Sequence, residues 1–89
     1  MTNTRKFYDA ISDFGAEVIL QSEESEEYFT FTANITKVNL ESTKMIKCVS
    51  KRHANTESLA QEKAFEYFLG FAPAIRHYFN NQKRTTKTK

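Results

Sequence analysis

The chain has 89 residues, a formal net charge of +2 and one cysteine, which leaves room for a single core and for no internal disulfide. It has neither an apolar signal segment nor the roughly 18 apolar residues a membrane span requires, so the expected setting is a reducing cytoplasm with no membrane partner. The total charge does not announce a nucleic-acid partner, but its distribution is uneven. From Glu17 to Glu27 there are five glutamates and no base, whereas Lys44, Lys47, Lys51, Arg52 and His53 form a basic stretch without an acid. Opposite potentials are therefore expected on two parts of the surface.

Phe7, Tyr8, Ala10, Ile11 and Phe14 recur at helical spacing and predict an amphipathic first helix from about Thr4 to Phe14. Thr4 is the expected N-cap, and Gly15 suits the left-handed position that ends a helix. Ala16 to Gln21 reads as a strand, and Ser22 to Glu27, with no apolar residue to bury, reads as the turn after it. Tyr28 to Ile35 alternates with period two, which puts Phe29, Phe31, Ala33 and Ile35 on a core face and Tyr28, Thr30, Thr32 and Asn34 on the other. Val38 and Leu40 fall at the opposite parity, so a bulge or an extended ribbon is expected between Thr36 and Thr43. Lys44 to Ser50 reads as a third strand with Ile46 and Cys48 inward, and short polar links favour antiparallel pairing.

Ala60, Ala64 and Phe68 at i, i+4 and i+8 predict a second helix whose small residues let it lie close to a sheet. Asn55 or Thr56 is its expected N-cap, Glu57 suits its first turn, and Gly70 with Pro73 supplies the stop. Residues 74–79 then predict a further helical turn or two, with Ile75, Tyr78 and Phe79 covering a core edge or facing a partner. Lys83, Arg84, Lys87 and Lys89, interleaved with threonine, lack apolar company and predict a flexible basic tail over 81–89. The expected architecture is one α+β domain over 1–80 in the order αβββα, a three-stranded antiparallel sheet with two helices packed on one face.

Catalysis needs convergent groups, and the sequence offers few. Cys48 inside an apolar strand reads as a small buried hydrophobe rather than a nucleophile. His53 and His77 belong to different elements and to no metal-ligand spacing. Asp9 and Asp13 share a helix face at i, i+4, the ordinary arrangement of a solvated face. Phosphate-cradling glycine loops and nucleophile elbows are missing from the sequence. The expectation is a non-enzyme with no cofactor and no metal. Lys51, Arg52 and His53, just before the second helix, place bases beside a helix N-terminus, an arrangement that favours phosphate.

With its elements in this order, the chain resembles a double-stranded RNA-binding domain over roughly residues 4–70. The run Leu59-Ala60-Gln61-Glu62-Lys63-Ala64-Phe65-Glu66-Tyr67-Phe68-Leu69 is similar to that family's alanine-rich second helix, and Ser50-Lys51-Arg52 stands where the family enters it. The resemblance implies a protein that reads the shape of A-form RNA through minor-groove and phosphate contacts. Ser22 to Glu27 replaces the family's Gly-Pro-x-His loop, and His53-Ala54-Asn55-Thr56-Glu57 replaces its Lys-Lys-x-Ala-Lys signature. The acidic loop is thus not expected to dock on RNA in the family's usual way.

The expected function is non-catalytic binding of duplex or structured RNA through Arg5, Lys6, Lys44, Lys47, Lys51, Arg52 and His53, with Lys83 and Arg84 adding sequence-independent attraction. The sparse glycine and proline and abundant Lys, Asn, Phe, Ile and Tyr suit an AT-rich genome such as a phage's. In that setting the expectation extends to RNA-dependent inhibition of a host defence enzyme or toxin. The alternative is a protein-binding inhibitor that kept the fold and lost RNA. In that reading Glu23, Glu24, Glu26 and Glu27 meet a basic host protein, or Phe71, Ile75, Tyr78 and Phe79 form a homodimer.

Overall fold

The computed structural model describes residues 1–87, with side chains described through Gln82. Six elements follow one another: α1 (Asn3–Asp13), β1 (Glu17–Glu24), β2 (Tyr28–Thr36), β3 (Thr43–Ser50), α2 (Glu57–Leu69) and α3 (Ala72–Lys87). The class is α+β, with an antiparallel sheet in the order β1-β2-β3 and one helix more than expected.

The cap of helix α1 lies two residues before the expected one. Thr2, not Thr4, accepts the Arg5 N–H with its hydroxyl, while the Thr4 hydroxyl accepts from the Gln61 amide on α2. Glu62 completes that seam by accepting the Asn3 N–H at 3.0 Å, which sets a carboxylate against the positive end of the α1 dipole. At the other end Gly15 takes φ +83°, as its position required. The Lys37 ammonium donates to the Phe14 carbonyl at 2.7 Å, so a cation meets the negative end of the same helix.

Strand β2 has the predicted faces. Phe29, Phe31, Ala33 and Ile35 are buried, and their alternates are not. Strand β1 pairs with β2 through Glu24↔Phe29, so the strand runs three residues past Gln21 and the turn shrinks to Ser25, Glu26 and Glu27. In the turn, the Ser25 hydroxyl accepts the Tyr28 N–H. The expected bulge between β2 and β3 is instead a tight turn, closed by the Leu40 N–H on the Lys37 carbonyl, with Asn39 at φ 65°. Asparagine tolerates that left-handed position better than most residues.

Strand β3 carries the largest departure. The register Phe29↔Val49, Phe31↔Lys47 and Ala33↔Met45 puts Met45, Lys47 and Val49 on the helix side. Ile46 is 53 % exposed and Cys48 is also exposed, both on the open face. A one-residue change in parity moves every side chain of a strand to the other face. Here an edge strand tolerates Lys47 on the inner side because its ammonium reaches out past the core while its stem stays apolar.

Helix α2 lies over β2 and β3 and along α1. Thr56 is its cap, accepting the Leu59 N–H at 3.2 Å, and Ala60, Ala64, Phe65 and Phe68 are fully buried. The small alanines admit Phe65, which meets Phe7 at 5.4 Å and Phe68 at 5.3 Å in edge-to-face contacts. Gly70 stops the helix in a right-handed rather than a left-handed conformation. Helix α3 then starts at once, with Pro73 in its first turn where the missing N–H costs nothing. It is sixteen residues long, well beyond the turn or two expected. Ile75 and Phe79 are buried at i, i+4, and Phe79 meets Phe14 at 6.2 Å. The backbone of α3 continues over much of the segment read as a tail, and Gln82 bonds to the Glu41 N–H. The side chains of Lys83, Arg84 and Lys87, and all of Lys89, lie outside the described residues.

No helix among the described residues is long and apolar enough to cross a membrane.

Candidate nucleic-acid interface

The basic stretch is carried by β3 and by the turn that follows it. Successive side chains on a strand alternate, so Lys44 stands on the open face and Lys47 on the helix face of the same edge strand. After Ser50 the chain turns tightly. The Ser50 carbonyl accepts from both the His53 and Ala54 N–H groups, and its hydroxyl accepts the Arg52 N–H. These bonds fix Arg52 and His53 as exposed residues on a short turn. They precede the α2 N-terminus at Glu57 by several residues, so they do not form the helix's first turn.

The expected separation of the two charged stretches does not occur. The Lys51 N–H donates to the Glu27 carbonyl at 2.8 Å, which ties the basic turn to the acidic one. The Lys51 ammonium is paired with the Glu24 carboxylate and stands 5.0 Å from the Phe29 ring centroid. A depression of about 690 Å³ is lined by Glu26, Glu27 and Tyr28 from one turn and Lys51, Arg52 and His53 from the other. The two antiparallel pairings together bring this about: β1–β2 sets Glu24 opposite Phe29, and β2–β3 sets Tyr28 opposite Ser50, so both turns meet at one end of β2. Beside it, Ser22 donates to the Glu57 carboxylate at 3.2 Å.

Lys44, Lys47, Arg52 and His53 have no carboxylate partner among the described residues. The Lys47 ammonium instead lies 4.5 Å from the centre of the Tyr67 ring. Arg5 and Lys6 are not part of this group. They belong to α1, which lies over β1 at the opposite edge of the sheet, and Arg5 is paired with Asp9 at 3.2 Å. The residues named for protein contact also divide. Ile75 and Phe79 are in the core, the first of the two roles open to them, whereas Phe71 and Tyr78 remain exposed. Glu23, Glu26 and Glu27 are exposed without a cation partner among the described residues.

Tyr67 was missed by the sequence reading, although its position one turn after the exposed Lys63 and one turn before Phe71 was the available signal. Cys48 does not have the buried site expected of it. Its thiol is exposed and lies 3.5 Å from the Thr30 hydroxyl, with no hydrogen bond to a histidine or carboxylate among the described residues. His77 contacts Asn81 on its own helix at 3.0 Å. No group of three His, Cys, Asp or Glu side chains among the described residues is placed to hold a metal.

Comparisons of the chain with family models, with curated proteins and with solved structures return no match.

Proposed function

We propose that this chain is a non-catalytic RNA-binding protein that holds duplex or structured RNA by its phosphate backbone along β3 and the turn after it. The observation that carries the proposal is the set of Lys44, Lys47, Arg52 and His53, gathered on one edge of the sheet with no carboxylate partner among the described residues. From Lys44 to Ser50 the extended strand covers roughly 20 Å, enough to follow several phosphates of one RNA strand. The helix, three antiparallel strands and helix of residues 3–69 also resemble the double-stranded RNA-binding fold in their order. In this proposal α3 is an addition that closes the core with Ile75 and Phe79. The site differs from that family's ruler, because the Glu24 to Glu27 corner turns phosphate away and Lys51 is already neutralised.

Charge reversal at Lys44 and Arg52 together tests the proposal. Both side chains are exposed, so the double variant retains its fold, and it loses duplex binding in a filter assay. Binding equal to the parent protein contradicts the proposed surface.

A second reading rests on Glu23, Glu26 and Glu27, exposed at one end of the sheet. In this reading they meet the basic surface of a host defence enzyme or toxin, and the RNA on β3 is shared with that enzyme. Pull-down from a host lysate with and without ribonuclease separates the versions. Loss of the partner after ribonuclease supports shared RNA, and retention supports direct contact through the glutamates.

A further inference from the structure

Beside the basic edge, α2 presents a row of exposed side chains in which Leu59, Lys63 and Tyr67 follow at i, i+4 and Phe71 continues the line. Tyr67 and Phe71 are each 42 % exposed, and their ring centres are 5.0 Å apart with the planes tilted by 56°. Such a pair forms a corner rather than a closed stack, so aromatic surface remains open to a ligand. The ammonium of Lys47 stands over Tyr67 at 4.5 Å. Neither Lys47 nor Lys63 has a carboxylate partner among the described residues.

We propose that the Tyr67–Phe71 corner is a stacking site for one unpaired nucleobase of the RNA, with Lys47 holding an adjacent phosphate. The proposal rests on the RNA-binding reading and specifies its ligand as RNA that joins a paired stem to an unpaired base. The chemistry that recognises such a base is a flat apolar ring face flanked by cations, and this corner supplies both. Lys47 can leave the ring for a phosphate because a cation over an exposed aromatic ring is held more weakly than a stacked base. The same movement uncovers the Tyr67 face. An apolar protein segment fits less well, since its approach would set Lys47 and Lys63 against surface that offers them no counter-charge.

The test uses the full chain with two probes, a stem–loop RNA carrying 2-aminopurine in its loop and a fully paired duplex of the same stem sequence. The parent protein binds the stem–loop roughly 5- to 160-fold more tightly than the duplex, the range one stacked base supplies, and quenches the 2-aminopurine fluorescence. Tyr67→Leu and Phe71→Leu, which keep apolar bulk at exposed positions, each lose the quenching and most of the preference, and Phe71→Leu, whose ring holds no cation of the phosphate surface, binds the duplex as before. Unchanged quenching in both variants, or equal binding of the two probes by the parent, overturns the stacking site while leaving the phosphate surface intact. Failure of the parent to bind either RNA overturns the RNA-binding reading and the stacking site with it.

Discussion

Replacing Glu24 by glutamine should strengthen RNA binding without harming the fold. Glu24 is paired with Lys51 at the corner where the acidic and basic turns meet, and its side chain is 60 % exposed. An ion pair so open to water contributes about 0–1 kcal/mol, so the urea midpoint should hardly move. Release of Lys51 adds one cation to Lys44, Lys47 and Arg52. Each phosphate contact adds about 0.9 to the slope of log affinity against log salt, so one new contact is worth about 3.5-fold in affinity for a fourfold change in salt. The assay is filter binding of a duplex RNA at 50 and 200 mM salt, with Asp13→Asn as the control. Asp13 is exposed at the end of α1, the helix over β1 at the opposite edge of the sheet from β3, and its loss changes net charge by the same amount. The expected result is a steeper salt dependence and tighter low-salt binding for Glu24→Gln alone. Equal effects from both variants, or none from either, would refute the argument that Glu24 silences Lys51.

Other expectations concern the scaffold. Phe65→Ala removes a fully buried ring in contact with Phe7 and Phe68, and a loss of about 3–5 kcal/mol in urea denaturation is expected. A loss below 1 kcal/mol would mean that the α1–α2 seam is not packed as described. Thr56→Ala deletes the hydroxyl that accepts the Leu59 N–H and should cost about 1 kcal/mol, while Thr4→Ala, whose hydroxyl does not cap α1, should cost less in the same experiment. Burial raises the Tyr8 phenol above its ordinary value of 10.0. The folded state therefore keeps a proton that the unfolded state releases, and stability falls as pH rises above that value. Tyr8→Phe should remove part of this alkaline loss, as measured by denaturation midpoints on either side of it.

The parts of the fold legible in the sequence are those whose signal is local and repeated. Phe7 and Ile11 mark the buried face of α1, Phe29 to Ile35 mark that of β2, and Ala60, Ala64 and Phe68 that of α2. Gly15 and Thr56 announce their roles through backbone chemistry that needs no tertiary partner. Strand β3 was misread because its open-face set, Lys44, Ile46 and Cys48, has two small or apolar residues, while its inner set includes a lysine. Only the register against β2 decides between them. Helix α3 is legible only as a turn or two, because the residues after Phe79 carry no apolar periodicity to mark a helix. The candidate site was half legible. The run of bases was plain, but the union of Lys51 with Glu24 depends on cross-strand pairing of residues 27 positions apart, and Tyr67 acquires its meaning only from Lys47 on another element.

The central claim is tested most directly by the affinity of the parent protein for a duplex RNA at 50 and 200 mM salt. With Lys44, Lys47 and Arg52 each on a phosphate, binding should weaken roughly 40-fold between the two conditions. No binding at 50 mM, or an affinity indifferent to salt, would contradict it.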